Sequence, residues 1–419
     1  MDLTNKKKIV NDPVHGFINI QHPLVFDLIE HPFFQRLRNI RQLGLTYLVY
    51  PGANHTRFQH ALGAVHLMTS AITVLRSKGH HITDQEAEAA TVAILLHDIG
   101  HGPFSHSLEY SIAHNVNHET ISRSFMAELN KQMDGKLTLA ISVFEDTYHK
   151  RFLHQLVSSQ LDMDRLDYLR RDSFFSGVTE GTIGSERIIK MLDTKNDELV
   201  VEAKGIYSIE KFLIARRLMY WQVYLHKTVV VADQMLIRLM QRARELAQSN
   251  HPLFGTPSLL YFLSQNVTEA DFFAKEGESA TPEALLHFAN IDDNDIMVAV
   301  KQWVTNSDPV LSALAKMLIN RRLLKIEYRN AAFDATRIEH IKSEVAKHNP
   351  SIAKHVDYFV YSDSVSNNAY CSSDESIKIL YNNGELVEIT EASDMLNTQV
   401  LSKEVKKYFF CYPKELRVN

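Results

Sequence analysis

The chain has little cysteine, no long apolar run and no excess of positive charge. Only Cys371 and Cys411 occur, so the sequence supports neither a disulfide framework nor a cysteine-based zinc site. The lysines near the N-terminus precede no apolar segment of the signal-peptide type, and no run approaches the roughly 18 apolar residues of a transmembrane helix. The formal net charge of -5 disfavours nucleic acid or an anionic membrane as the main partner. We therefore expect a cytoplasmic protein.

The composition is that of a folded globular protein, and its histidines are unevenly placed. Hydrophobic residues make up 45% of the chain and charged residues 23%, which disfavours an intrinsically disordered protein. A length of 419 residues suits two or three domains. The 21 histidines concentrate between His55 and His154. This region is where the sequence indicates chemistry.

The segment 97–106 is the densest group of potential ligands in the chain. His97, Asp98, His101 and His106 fall within ten residues, directly after an apolar helix that a Thr83–Glu86 capping box is predicted to begin. Adjacent imidazole and carboxylate groups suit a divalent transition metal. The alternative is a helix end that happens to be rich in histidine. A buried His–Asp pair needs a partner to offset its desolvation, which favours the metal site.

Two further helical segments carry polar stripes at intervals of four residues. The stripes are Asp164, Tyr168 and Asp172 in one segment and Arg216, Tyr220 and Tyr224 in the other. The second stripe combines a cation with aromatic rings, which suits a phosphate and a sugar or base. Spacing alone leaves two alternatives open in each segment, a binding stripe or an ordinary helix face.

Three other features have a plain structural interpretation when each is taken alone. His60 lies in the first turns of an apolar helix that begins at Arg57, where a histidine is usually a core residue. His118 and Glu119 are either an acid/base pair or a polar helix start. The arginines of segment 33–43 are either a solvated helix face or ligands of an anion.

Together these residues resemble a known family. The order His60, His97–Asp98, Asp164 resembles the H…HD…D order of the HD-domain metal-dependent phosphohydrolases. Further segments are similar to the deoxynucleoside triphosphate triphosphohydrolases of that superfamily, a dGTPase-like group. The vertebrate members of this group carry an added SAM domain, which we do not expect here. These segments are Asp12–Gly16, Gln35–Arg38, Gln42–Gly44, Pro51–Ala53, Arg57–His60 and His97–His106. The resemblance covers residues 8–175 strongly and extends to about residue 235.

The resemblance and the sequence pattern together predict a mainly α fold. We expect an HD-domain helical core with small β-hairpin insertions, and a C-terminal α+β lobe. The predicted domains are a catalytic core over residues 1–245, a helical extension over 246–345 and the lobe over 346–419. One long helix is predicted from about Ser208 to Gln248, and Asn382-Asn383-Gly384 predicts a hairpin turn in the lobe.

The resemblance also implies roles for individual residues. The implied metal ligands are His60, His97, Asp98 and Asp164, which would hold one divalent ion (Fe, Mn, Mg, Zn or Ni), with a second Mg²⁺ on the triphosphate as a further option. The implied catalytic residues are His101, His106, His118 and Glu119. The implied substrate-binding residues are Gln42, Leu43, Arg57, Arg165, Tyr168, Asp172, Arg216 and Tyr224. Arg165 stands where the best-known relative has lysine, and Tyr220 where it has histidine.

The resemblance further implies regulation and assembly. Lys8, Gln35 and Arg38 match part of a nucleotide-activator site, in which Glu30 replaces an aspartate that reads guanine. The family's activated members assemble through that site, so a homo-oligomer, a dimer or tetramer, is expected.

The implied reaction is metal-dependent hydrolysis of a deoxynucleoside triphosphate, dGTP included, at the α-phosphorus, which releases the deoxynucleoside and inorganic triphosphate. Two alternatives stay open. The first is an HD-type phosphohydrolase of a monophosphate, cyclic nucleotide or alarmone, against which the three cations Arg57, Arg165 and Arg216 argue. The second is a non-catalytic nucleotide sensor on the same fold, although none of the expected ligands has been lost.

Overall fold

A computed structural model describes residues 8–113, 115–274, 280–367, 370, 376–394 and 404–415, except for the side chains of His106 and Tyr110. Helices dominate this part of the chain. The α-helices are α1 Pro23–Glu30, α2 Pro32–Gln35, α3 Arg57–Ser77, α4 Asp84–Leu96, α5 Ser105–Ile112, α6 His118–Gln132, α7 Thr138–Phe144, α8 Arg151–Val157, α9 Met163–Ser176, α10 Ser185–Met191, α11 Ile206–Met219, α12 Lys227–Gln248, α13 Pro257–Ser264, α14 Glu283–Ala289, α15 Asp293–Trp303, α16 Pro309–Ile319, α17 Ala335–His348 and α18 Ile389–Ala392. The predicted mainly α fold with small β elements is confirmed.

Short strands and tighter helical turns complete the fold. The strands are β1 Lys8–Asp12, β2 Gly16–Ile20, β3 Leu192–Lys195, β4 Glu198–Glu202, β5 Lys325–Arg329, β6 Tyr361–Asn367, β7 Lys378–Leu380, β8 Leu386–Glu388 and β9 Val405–Tyr412. Turns of 3-10 helix span Arg36–Asn39, Gly44–Leu48, Thr179–Gly181, Ala203–Gly205, Glu269–Phe272 and Pro350–Tyr358, and a π-helical turn spans Tyr220–Tyr224. The strands form three small sheets, in the orders β1-β2, β3-β4-β7-β8 and β5-β9-β6.

The central helices begin and pack as their sequences predict. The Thr83 hydroxyl oxygen accepts a hydrogen bond from the Glu86 amide, and the Glu86 carboxylate accepts one from the Thr83 amide, so the capping box of α4 is confirmed. Helix α3 packs against both α4 and α9. A Cβ atom on Gly63 would lie 2.0 Å from Asp167 Oδ1, so only glycine lets α9 approach α3 this closely.

Helix α3 is the one helix in the described part of the chain with the length and hydropathy of a membrane span. Most of that apolar segment is buried within the protein. Its hydrophobic residues therefore form core, because they pack against α4 and α9 rather than facing outward.

The prediction of one helix from Ser208 to Gln248 is wrong. Helix α11 ends at Met219, the π-helical turn follows, and α12 begins anew with His226 as its N-cap, where the ring accepts a hydrogen bond from the Thr228 amide at 3.2 Å. The wider π turn inserts an extra residue per turn and so changes the helical register, a feature that often occurs at functional sites.

The predicted hairpins are confirmed. Asn196 and Asp197 have φ values of 56° and 59° between β3 and β4, and Gly384 has φ 85° between β7 and β8. Further along the lobe, Tyr358 ends a 3-10 turn and β6 starts at Tyr361.

Two of the sheets each connect two of the predicted domains. Strand β5 lies within the predicted helical extension and pairs antiparallel with β9 of the C-terminal lobe, with Glu327 opposite Phe410. Strand β7 of the lobe also pairs in parallel with β4 of the core, with Val201 opposite Ile379. The division at residues 245 and 345 stays a prediction.

Candidate metal centre and adjoining cavity

Helix α3 and the two helices packed against it, α4 and α9, bring the four predicted metal ligands together. His60 comes from α3, His97 and Asp98 from the end of α4, and Asp164 from the first turn of α9. His60 Nε2 lies 3.0 Å and His97 Nε2 3.5 Å from Asp164 Oδ1. Asp98 completes the group, with its oxygens 3.3 Å from His97 Nε2 and 3.7 Å from His60 Nε2.

The two imidazoles are oriented as metal-binding histidines are. His97 Nδ1 lies 2.7 Å from the Ile94 carbonyl, and His60 Nδ1 lies 2.8 Å from Asp167 Oδ2, so each Nδ1 carries the proton. Both Nε2 atoms are buried and make no hydrogen bond of suitable geometry to a described residue. Two buried nitrogen lone pairs facing carboxylates fit a divalent ion, which would satisfy all of them.

A buried polar network behind His60 holds it in place. Arg171 donates to both oxygens of Asp167, at 2.8 and 3.0 Å, and His15 Nε2 lies 2.6 Å from Asp167 Oδ1. Arg171 also donates to Asp12 at 2.7 Å. Burial alone would raise the pKa of the Asp167 carboxyl, but Arg171, His15 and His60 hold it well below its usual range. Asp167 is therefore ionised when it orients His60.

Sequence reasoning missed the roles of Asp167 and Arg171. Asp12 and His15 belong to a segment that carried the family resemblance, but nothing local ties them to the metal site. Asp167 follows Asp164 by three residues, so it lies on nearly the same face of α9. That spacing was the available signal, and it could not show that Arg171 and His15 would reach the same carboxylate.

Asp98 contacts both the predicted metal ligands and the residues that line the adjoining cavity. Its carboxylate forms an ion pair with Arg57 and lies 3.3 Å from His101 Nε2. Burial would raise the pKa of Asp98, but His97, His101 and Arg57 lower it well below its usual range. Burial and the Arg57 guanidinium in turn lower the pKa of His101 well below its usual value, so that imidazole is neutral near neutral pH.

His118 is paired with Glu109 rather than with the adjacent Glu119. Its Nδ1 lies 2.5 Å from Glu109 Oε1 on α5, and its ring stacks on His101 with 3.9 Å between centroids. Glu119 is exposed at the start of α6 and has no hydrogen bond or ion pair to a described residue. Of the two alternatives for this segment, the structure favours the polar helix start for Glu119. The catalytic roles of His118 and Glu119 stay predictions. The side chain of His106 lies outside the described part of the structure.

A cavity of about 490 Å³ opens beside these groups. Asp98, His101, His118 and Asp164 line it on the metal side. Among the predicted substrate-binding residues, those that line it are Gln42, Leu43, Arg57, Arg165, Tyr168, Asp172 and Tyr224. Arg216 is not among the described lining residues; it is buried and donates to Gln160 at 3.0 Å. One cavity thus unites most of the predicted site.

Asp172 anchors another part of the cavity wall. One of its oxygens lies 2.7 Å from His55 Nε2, and the other accepts a hydrogen bond from the Tyr224 hydroxyl at 2.7 Å. The backbone N–H of Gln42 donates to the His55 carbonyl. The side-chain oxygen Oε1 of Gln42 is buried without a hydrogen-bond partner among the described residues. The wall therefore offers a fixed carboxylate, a tyrosine and an unpaired amide oxygen to a ligand.

None of the four predicted regulatory residues lines the cavity, and Lys8, Glu30 and Arg38 are exposed. Arg38 donates to Gln35 at 2.7 Å and lies 3.6 Å above the Phe58 ring, and Lys8 lies 4.2 Å above the Phe26 ring. Glu30 is exposed at the end of α1. Their role stays a prediction.

Arg36, in the same arginine-rich segment, fits neither predicted alternative. It is buried and donates to the Ile99 and His101 carbonyls, between the rings of Phe125 and Phe288. The guanidinium thus fixes the loop that follows α4 rather than facing solvent or an anion. A turn of 3-10 helix at Arg36–Asn39 directs it inward.

Comparison with known proteins agrees with this geometry. Residues 57–172 match the HD domain and residues 183–253 the HD associated region. The crystal structure of a phosphohydrolase from Bacteroides thetaiotaomicron VPI-5482 is similar, with a TM-score of 0.92 and 54% identity over 97% of this chain and 99% of that one. The uncharacterized protein YwfO of Bacillus subtilis is 30% identical over 98% of this chain and 93% of that protein. The deoxynucleoside triphosphate triphosphohydrolase SAMHD1 of Gallus gallus is 29% identical over 64% of this chain and 50% of that enzyme.

Proposed function

Because the chain belongs to the HD-domain phosphohydrolase family, we propose that it is a metal-dependent deoxynucleoside triphosphate triphosphohydrolase. The observation that carries the proposal is the composition of one cavity. Carboxylates of the metal cluster, two guanidinium groups and a carboxylate–tyrosine wall all face the same space of about 490 Å³. That volume is in the range of small-molecule sites. The similarity to SAMHD1 enzymes supports the substrate class.

His60, His97, Asp98 and Asp164 are the residues that would hold the metal ion. The chemistry that such an ion supplies when bound is polarisation of a phosphoryl oxygen and activation of water. Each of these side chains comes from a helix or from the residues directly after one, so the ligand positions are fixed by packing rather than by a mobile loop. The identity of the metal does not follow from this donor set.

Arg57 and Arg165 would neutralise the phosphates. Arg57 lies beside Asp98, and its Nη2 is buried without a hydrogen-bond partner among the described residues, so it has donor capacity left for a phosphate oxygen. Arg165 is ion-paired with Asp162, and its Nε is likewise unpaired. Cations held in place before the reaction stabilise the charge that develops in the transition state.

Histidines would move the proton to the 5′-oxygen leaving group. We assign this role to His106 and His118. Glu109 accepts the Nδ1 proton of His118, which leaves Nε2 as the ring atom for proton transfer. A carboxylate in this position also stabilises the imidazolium that forms when His118 takes up a proton. Glu109 therefore acts as a positioning residue.

Asp172 and Gln42 would bind the 3′-hydroxyl of the sugar. Tyr224 is held against Asp172, and Tyr168 lies next to it with ring centroids 6.3 Å apart. Rings packed at this wall leave little room for a 2′-hydroxyl, which would favour deoxyribose over ribose.

Product analysis tests the proposal. Purified protein is incubated with Mn²⁺, Mg²⁺, Fe²⁺, Zn²⁺ or Ni²⁺ and a panel of dNTPs, NTPs, nucleoside monophosphates, cyclic nucleotides and alarmones. Inorganic triphosphate and deoxynucleoside as the products support the proposal. Orthophosphate, pyrophosphate or turnover only of the other substrates would contradict it and favour another HD phosphohydrolase. No turnover with any metal, together with saturable dNTP binding, would favour a sensor.

Regulation and assembly belong to the same proposal. Lys8, Gln35 and Arg38 would bind an activating nucleotide at the surface and promote a dimer or tetramer. Light scattering with and without dGTP, on the wild type and on Arg38→Ala, measures this directly. A nucleotide-dependent increase in mass that the variant lacks is the expected result.

A further inference from the structure

One carboxylate in the cavity wall has no role in the function proposed above. Asp233 lies on α12, whose residues Val229, Asp233 and Ile237 recur at intervals of four and line the cavity along one face. Its neighbours on that face are apolar. An acidic side chain in the middle of an apolar wall needs an explanation.

Asp233 is less satisfied than the other acidic residues around the cavity. Ser107 makes a hydrogen bond to it, but Oδ1 is buried and has no partner among the described residues. No lysine, arginine or histidine of the described chain forms an ion pair with it, whereas Asp98, Asp164 and Asp172 each have one. Burial accordingly raises the pKa of Asp233 to about 7. Asp233 therefore keeps an acceptor oxygen that none of the described residues uses.

The position of Asp233 indicates which part of a ligand it meets. In the proposed function, the triphosphate lies at the metal carboxylates and arginines, and the sugar lies at Asp172 and Tyr224. Helix α12 contributes a further, largely apolar part of the wall, with Val229, Val230, Ile237 and one amide side chain, Gln234. A carboxylate repels phosphate, and apolar side chains beside it suit contact with a nucleobase.

We propose that Asp233 accepts hydrogen bonds from the base of the nucleotide and selects guanine. This inference rests on the proposed function. Guanine presents two adjacent donors, N1–H and the 2-amino group, and a carboxylate offers lone pairs on both oxygens to match them. Hypoxanthine keeps N1–H but lacks the amino group, and xanthine carries a carbonyl in its place. Asp233 would therefore be a specificity-determining residue for the base.

The experiment compares kcat/KM for dGTP, dITP and dXTP in the wild type and in Asp233→Asn. Wild type is expected to prefer dGTP over dITP on the order of tenfold, the usual discrimination of one good bidentate base contact. In Asp233→Asn the amide would donate to the xanthine carbonyl, so dXTP should overtake dGTP. The control is Asp134→Asn, at an exposed aspartate outside the cavity, which should leave the three ratios unchanged.

Two results would overturn the inference. One is a wild type that does not discriminate dGTP from dITP. The other is an Asp233→Asn protein whose ratios equal those of wild type, which would make Asp233 only a structural partner of Ser107. Binding of deoxyguanosine and deoxyinosine, which have no phosphate to hydrolyse, is measured by calorimetry on the wild type. A preference for deoxyguanosine without dNTP turnover supports the Asp233 assignment while rejecting the proposed reaction, so the two failures are distinguishable.

Discussion

Asp167 accepts hydrogen bonds from a predicted metal ligand and from the residues that fix it. Replacement by asparagine would leave His60 without an ionised partner, and loss of such a partner weakens metal affinity by about 10- to 100-fold. Asp167→Asn should therefore bind Mn²⁺ or Zn²⁺ that much more weakly in a competition titration. Asp12→Asn is the control, because it also removes a partner of Arg171 but does not touch His60. Equal affinities for the two variants would contradict this role.

Variants of Glu109 and Glu119 test which of the two carboxylates assists His118. Glu109 is hydrogen-bonded to His118, so Glu109→Gln should reduce kcat by about 10- to 100-fold. This is less than the roughly 10²- to 10⁴-fold of a whole general acid or base, because His118 itself remains. Glu119 is exposed, and Glu119→Gln should stay within about twofold of wild type. The measurement is initial rates of the purified variants at saturating substrate. A larger loss of kcat in Glu119→Gln than in Glu109→Gln would instead support a catalytic role for Glu119.

At the residue scale, local pattern identified the groups that cluster in sequence and missed those that meet through packing. His97 and Asp98 follow a strongly apolar helix, which makes their burial predictable. Glu109 and Asp233 lie in ordinary helical segments, and only the tertiary structure brings them to His118 and to the cavity wall. Arg36 was misjudged for the same reason, since sequence does not show that two phenylalanines and two carbonyls surround it.

Gly63 sets the distance between α3 and α9. A Cβ atom there would lie 2.0 Å from Asp167 Oδ1 and 2.3 Å from Arg171 Nη2, so the buried ion pair would have to move. We expect Gly63→Ala to destabilise the protein by about 1–3 kcal/mol or more, as overpacking does, and to lower metal affinity as well. Urea unfolding measures the first effect. Gly184→Ala, where the nearest atom is 3.9 Å away, is the control and should change stability little.

Glu86 attaches α4 to the rest of the core. Its carboxylate caps the helix and contacts Lys150 and Tyr148. Burial opposes the charge, but Lys150, Tyr148 and Thr83 lower the pKa of Glu86 from 4.5 to about 2. Because the folded pKa lies below the unfolded one, this stabilisation is present above pH 4.5 and lost as the pH falls towards 2.

The corresponding variant is Glu86→Gln. By linkage it should cost on the order of 3 kcal/mol at pH 7, and the difference from wild type should shrink steadily between pH 4.5 and pH 3. Urea unfolding at pH 7 and pH 3.5 checks this. A difference that does not change with pH would mean that packing, rather than charge, is what the variant loses.

At the scale of elements, capping and turn chemistry were the most predictable features. The α4 capping box and both hairpins follow from short motifs whose physics is local. The break between α11 and α12 could not be read in this way, because the apolar and aromatic spacing continues through Tyr220–Tyr224. The π turn there places Tyr224 against Asp172, so the departure from regular helix occurs at the cavity.

At the scale of the whole molecule, the sheets show what a linear division of the chain misses. Strand β5 ends at Arg329 and strand β9 begins only at Val405, yet the two strands pair residue by residue. Strand pairing between distant segments depends on tertiary contacts that no local pattern encodes. The composition, by contrast, was enough to predict a globular protein, and the family resemblance with the helical patterns was enough to predict a mainly α fold.

The metal site also joins three helices, so metal should stabilise the whole fold. An ion that binds only the folded protein adds about 2.7 kcal/mol when its concentration is one hundred times its dissociation constant. We expect removal of metal with a chelator to lower the melting temperature by a few degrees, and re-addition of the metal to restore it. His60→Ala removes a ligand on α3, so its melting temperature should not respond to metal. If the wild type and His60→Ala responded equally, the stabilising ion would be bound elsewhere, and the cluster of His60, His97, Asp98 and Asp164 would not be the metal centre.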